Sequence, residues 1–317
     1  MKSKYVLLSQ PRSTIAVLAL VLATNIVCAP CTSDDITNMD VSGCDCPSQF
    51  PSPVTDLTCI GPTQVCSQTC GNPQMTVQSR SRLVQCGQGC INANSACNGC
   101  YIWFHSLCSC IRDLQHSSTT TGCIPSDNLN PGHPNQPVWM LLNAGDLITT
   151  TQLLPGIIQL NNARDPDGGW RLGQRVLQQG HSGQTYNRRR GSLAMNSVST
   201  RSEEQVHIHV CDNPASNIRN KLSSLSRDNY RTLQPVPLTA AEGFRPGSEM
   251  SCRVSPNSGA VIDVARDIIG YLGSLVPPPA SCAAYYVGAG VITDANDYTW
   301  ACVTTGTRSA EELFCHT

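Results

Sequence analysis

Two histidines one residue apart, His207 and His209, carry the strongest chemical signal in the chain. They lie in Gln205-Val206-His207-Ile208-His209-Val210-Cys211, where polar and apolar residues alternate. Successive side chains of an extended strand point to opposite faces. Gln205, His207, His209 and Cys211 therefore share one face, and Val206, Ile208 and Val210 the other. With the apolar face buried, the imidazoles are expected to face a cleft or solvent, about 7 Å apart. Imidazole has an unperturbed pKa near 6.5, so much of it is neutral at physiological pH. Two neutral imidazoles on one strand suit either attack on an electrophile or the binding of a metal.

The flanking residues favour phosphorus as the electrophile. Arg188, Arg189, Arg190 and Arg201 stay charged at any working pH and can grip phosphate oxygens in pairs. Asn196 and Ser197 follow the run Ser192–Met195 and supply polar groups for a phosphate oxygen or a leaving group. Gln205 shares the histidine face. No metal ligand set of ordinary spacing accompanies the pair, and none is required for nucleophilic attack.

These residues need a scaffold, and patterning outlines one from Val138 onward. Val138–Leu142 and Leu147–Leu154 read as strands around Asn143-Ala144-Gly145-Asp146. Trp170, Val176 and Leu177 suit a short helix ending near Gln179. Ser192–Met195 and Gln205–Val210 form an expected hairpin around residues 197–204. Ser216 can cap a helix carrying Ile218, Leu222 and Leu225. Val261, Val264, Ile268 and Leu272 mark another helix, stopped by the prolines at 277–279. Tyr285–Ile292 and Tyr298–Thr304 read as a closing hairpin. Strands interleaved with few helices indicate an α+β fold with a largely antiparallel sheet.

The N-terminal third has a different character. Lys2, Lys4 and Arg12 precede an apolar run from Thr14 to about Ala29, the order of a secretory signal peptide. The alternative is an uncleaved anchor in a lumenal protein. Of 19 cysteines, 14 fall between Cys28 and Cys123, which in an oxidising compartment reads as a disulfide framework. If Cys28 leaves with the signal, 13 cysteines precede residue 130 and 5 follow it. Both numbers are odd, so full pairing needs a bridge between the halves. Cys97, Cys100, Phe104, Leu107, Cys108 and Ile111 recur at helical spacing inside this module. The expected organisation is a signal peptide over 1–29, a cysteine-rich, partly helical module over 30–125, a linker over 126–137 and a catalytic domain over 138–317. Charge is nearly balanced, 21 basic against 22 acidic residues, which argues against nucleic-acid binding.

The block Ser192-Leu193-Ala194-Met195-Asn196-Ser197, then Arg201-Ser202, then Gln205-Val206-His207-Ile208-His209 resembles the bacterial CDP-diacylglycerol pyrophosphatases of the histidine-triad superfamily. The likeness is strongest over 188–225 and extends more thinly over 138–317. It does not cover the cysteine-rich module. It implies a histidine-triad-like antiparallel sheet and hydrolysis of CDP-diacylglycerol to CMP and phosphatidate through a nucleotidyl-histidine, with no cofactor. It also implies a lipid-linked nucleotide substrate, and hence contact with a membrane surface. The superfamily motif has three alternating positions with the nucleophile in the middle. One frame here is Gln205, His207, His209 and the other His207, His209, Cys211, so one position is not histidine in either. The first frame, with His207 attacking, is preferred because Cys211 in a secreted protein suits a disulfide. A second reading is a secreted cysteine-rich binding or effector protein that keeps a hydrolase scaffold without its activity. The partner of the N-terminal module is open.

Overall fold

The computed structural model describes residues 123–126, 129–130, 133–142, 147–152, 154, 156–180, 190–200, 205–212, 215–275 and 282–315, with short pieces at 38–40, 42, 107 and 110–112. The expected signal peptide and most of the cysteine-rich module lie outside these residues. Of the helix expected there, Leu107 and residues 110–112 are described, and they are helical.

The strands are β1 (Ile124–Pro125), β2 (Leu129–Asn130), β3 (His133–Pro137), β4 (Trp139–Leu141), β5 (Leu147–Thr150), β6 (Ser192–Met195), β7 (His207–Cys211), β8 (Gln234–Val236), β9 (Met250–Val254), β10 (Gly288–Thr293) and β11 (Thr299–Thr304). Nine of them form one antiparallel sheet in the order β1-β4-β5-β7-β6-β10-β11-β9-β8. The α-helices are α1 (Gly168–Gln179), α2 (Ser216–Ser224), α3 (Ala265–Ser274) and α4 (Ala310–Cys315). The expected α+β class with an antiparallel sheet is therefore present, and β6–β7 and β10–β11 are the two antiparallel pairs read from the pattern.

The sheet is covered on both faces. Leu193, Met195, Val206, Ile208, Val210, Val291 and Val303 point to one side, where they bury with Trp170 and Val176 of α1 and Ile268 and Leu272 of α3. α1 lies close because Gly169 and Gly173 carry no side chain. A Cβ at Gly169 would stand 2.6 Å from Trp139 and one at Gly173 2.7 Å from Leu193. The helix ends at Gly180, whose φ of 81° is one glycine adopts without strain. Asp167 ties α1 to α3, its Oδ1 accepting from the N–H groups of Val264 at 2.6 Å and Ala265 at 2.7 Å. Burial raises its pKa, partly offset by those two bonds. Taking up these groups starts α3 at Ala265. Val261, expected on its buried face, is instead 46% exposed.

The opposite face buries Ala194, Cys252, Ile292, Trp300 and Cys302 beneath Ile218 and Leu222 of α2 and Leu313 and Phe314 of α4. Its fit depends on Gly290, where a Cβ would stand 2.3 to 2.6 Å from the Phe314 ring. Gly290→Ala is expected to lift α4 from the sheet and cost about 1–3 kcal/mol, the usual effect of overpacking a filled core. Urea unfolding checks this, and a midpoint equal to wild type would refute the tight fit.

Two regions differ from the sequence reading. Residues 126–137, expected as a linker, contain the β2–β3 hairpin, and Ile124–Pro125 forms the outermost strand of the main sheet. Cys110–Cys123 then ties the cysteine-rich module to this sheet edge. β8, β9 and α4 were not anticipated, because each is short and two of them lack a clean apolar alternation. Cys211–Cys315 and Cys252–Cys302 use four of the five cysteines after residue 130.

Candidate functional site

β7 is the fourth strand of nine, flanked by β5 and β6, so its backbone is held on both sides. Val206, Ile208 and Val210 are all at most 1% exposed on the α1 side, as alternation requires. His207 and His209 therefore point to the α2/α4 face, with Thr149 opposite His207 and Ala194 opposite His209. The rings lean together, their centroids 4.9 Å apart and their planes at 72°. This is closer than the 7 Å expected from strand rise alone. Nor do both rings face solvent. His207 is 4% exposed, while the His209 side chain keeps 16%.

His207 Nδ1 lies 2.8 Å from the carbonyl oxygen of Gln205. A carbonyl only accepts, so this contact places a proton on Nδ1 and, in the neutral ring, the lone pair on Nε2. His209 Nε2 is 3.5 Å from Oε2 of Glu311, a residue of α4. Asn196 joins the same carboxylate. Its Nδ2 donates to Glu311 Oε2 at 3.2 Å, and its Oδ1 accepts from the Glu311 N–H at 3.0 Å. The Cys211–Cys315 disulfide pins the other end of α4 to the end of β7.

The remaining expected site residues separate into three groups. Gln205 is 1% exposed, and its amide is engaged by backbone. Nε2 donates to Gln152 O at 2.9 Å, and Oε1 accepts from Leu154 N at 3.2 Å. It joins the exit of β5 to the entry of β7. Ser197 is likewise enclosed, its hydroxyl 2.7 Å from that of Ser199 and 3.0 Å from that of Thr200. Arg190 is exposed and precedes β6 at the end opposite Asn196, about 13 Å of strand away. Its charge adds to burial in lowering the pKa of Arg219 on α2. Arg188, Arg189 and Arg201 lie outside the described residues.

The structure thus brings His207, His209 and Asn196 together and adds Glu311, which sequence reasoning missed. Glu311 lies 102 positions from His209 in a six-residue helix capped by Ser309, whose hydroxyl accepts from the Glu312 N–H at 2.9 Å. The spacing Ser309-Ala310-Glu311-Glu312, that of a capped helix start, was the local signal available. Two cavities border α2. One is lined by residues including Asn217, Arg245, Arg308 and Glu312, and the other by residues including Asn217, Lys221 and Glu242. Neither is lined by the histidines.

Fold and site together define an α+β protein with a paired-histidine cluster on a central antiparallel strand. No protein-family profile matches the chain, and no curated protein aligns with it significantly.

Proposed function

We propose that the chain is a phosphoanhydride hydrolase acting on a nucleotide diphosphate, with His207 as nucleophile and CDP-diacylglycerol or a relative as substrate. The observation that carries this reading is the 2.8 Å contact from His207 Nδ1 to Gln205 O, which leaves the lone pair of the neutral ring on Nε2. In the first step Nε2 forms a bond to the nucleotide-side phosphorus. The bond from that phosphorus to the bridging oxygen breaks, and its electron pair leaves with the phosphatidate. Nδ1 keeps its proton, so the ring becomes cationic, and the Gln205 carbonyl stabilises that charge. Water then attacks phosphorus, the N–P bond breaks, and CMP departs. The route calls on no metal or cofactor.

Gln205 and Ser197 act as positioning residues, since their polar atoms are already bonded within the protein. Arg201 remains the proposed phosphate ligand nearest in sequence. Secretion, or retention in the lumen through an uncleaved anchor, fits the disulfides and places the reaction outside the cytosol.

The binding or effector reading has one observation in its favour. Glu311 sets a carboxylate beside His209 on the face where a phosphate must approach. Incubating the purified full chain with CDP-diacylglycerol, and with water-soluble nucleotide diphosphates and sugars, separates the two. The hydrolase reading expects CMP release from the lipid, or monophosphate release from a soluble relative. Absence of turnover across the panel would favour the scaffold reading.

A further inference from the structure

We propose that Glu311 is a positioning residue for this reaction, holding His209 as an imidazolium so that it can protonate the leaving phosphate. The inference rests on the hydrolase reading but comes from contacts that reading does not use. Three independent restraints place the carboxylate. Asn196 bonds both its side-chain oxygen and its backbone N–H, and Cys211–Cys315 fastens the helix that carries it. The same carboxylate oxygen, Oε2, stands 3.5 Å from His209 Nε2.

An anionic neighbour at that distance favours the charged ring, in opposition to the desolvation that partial burial imposes on it. On β5 the residues opposite the pair are Leu147 and Thr149, and on β6 they include Ala194. A titratable neighbour on the same strand is His207, whose ring is 4.9 Å away. A proton on His207 Nε2 would repel a charged His209, so the Glu311–His209 pair also favours the neutral, nucleophilic form of His207.

The proton balance closes over one turnover. As His207 Nε2 bonds to phosphorus and the bridging P–O bond breaks, the His209 proton passes to the departing phosphate oxygen. In the second step water supplies the oxygen that replaces nitrogen on phosphorus. Its proton returns to the neutral His209 ring, which Glu311 again stabilises as imidazolium.

The test uses Glu311→Gln, which keeps an oxygen for Asn196 and removes the charge, with Glu311→Asp as the conservative control. Titration of the histidine ring protons by NMR reads the effect without any turnover. In wild type His209 should hold its proton to higher pH than in Glu311→Gln, with Glu311→Asp in between. With a working substrate, kcat of Glu311→Gln should fall roughly 100-fold, KM should change little, and the alkaline limb of the rate profile should move to lower pH. An unchanged His209 midpoint in a folded Glu311→Gln would overturn the proposal. If Glu311→Gln does not fold, an unaltered His209 midpoint in Glu311→Asp would do the same. A wild-type protein that turns over no nucleotide diphosphate overturns the hydrolase reading instead, while the titration still decides whether Glu311 holds the His209 proton.

Discussion

On the proposed route, His207→Ala should reduce turnover of a nucleotide diphosphate by about a thousand-fold or more, because it removes the atom that would bond to phosphorus. His209→Ala should be less severe, about a hundred-fold, since it removes a proton donor while leaving the nucleophile. The order of these effects distinguishes the two frames of the motif. If His209 were the nucleophile, its replacement would be the more damaging. The structural reason to expect His207 is the Nδ1 contact to Gln205 O, a tautomer-fixing bond. Alkaline denaturing quench during turnover, followed by mass spectrometry under non-acidic conditions of the peptide spanning 205–211, should find a nucleotidyl adduct in wild type and none in His207→Ala. An adduct that persists in His207→Ala would remove this assignment.

The second large effect concerns the Cys211–Cys315 disulfide. It closes a loop of 104 residues and joins the strand bearing His209 to the helix bearing Glu311. Constraint of the unfolded chain over such a loop is worth about 4–5 kcal/mol in the entropy treatment, and measured values commonly fall nearer 2–4. Cys211→Ala with Cys315→Ala should therefore lower stability by about 2–4 kcal/mol. It should also depress activity, because α4 is only six residues long and depends on tertiary ties. Cys252–Cys302 is the control. It closes a loop of 50 residues across β9 and β11, which already pair at those two positions. Its removal should destabilise the sheet while leaving kcat of the remaining folded protein near wild type. Thermal unfolding and initial rates on both double variants make the comparison. Equal loss of kcat in the two would show that α4 is not specially tied to catalysis.

The legible parts of this fold share one property: local periodicity strong enough to name a face. β7 is the clearest case. Its alternation separated Val206, Ile208 and Val210 from the histidine face, although His207 on that face is buried rather than open to solvent; Cys211, set aside for a disulfide by the secretory context, forms one. α1 and the β10–β11 hairpin were also readable, through a helical apolar stripe and a turn rich in Asp and Asn. In that turn Asp294 Oδ1 accepts from the N–H groups of Asn296 and Tyr298, and Asp297 takes a φ of 66°. The start of α3 was misplaced, because its first turn is set by Asp167, nearly a hundred residues earlier, rather than by its own sequence.

The site divides in the same way. Residue type and spacing alone determined that two imidazoles share one face of a strand whose other face is core, because pleating makes that a property of neighbours. Which groups those imidazoles meet was a matter for the tertiary structure. Asn196 reads in sequence as a phosphate ligand, yet its amide is bound to Glu311. The arginine run at 188–190 reads as adjacent, yet Arg190 lies at the far end of β6. Alternation specifies direction, whereas contact depends on which distant segment packs on the face. Here that segment is α4, brought to β7 by a disulfide and by the space left at Gly290.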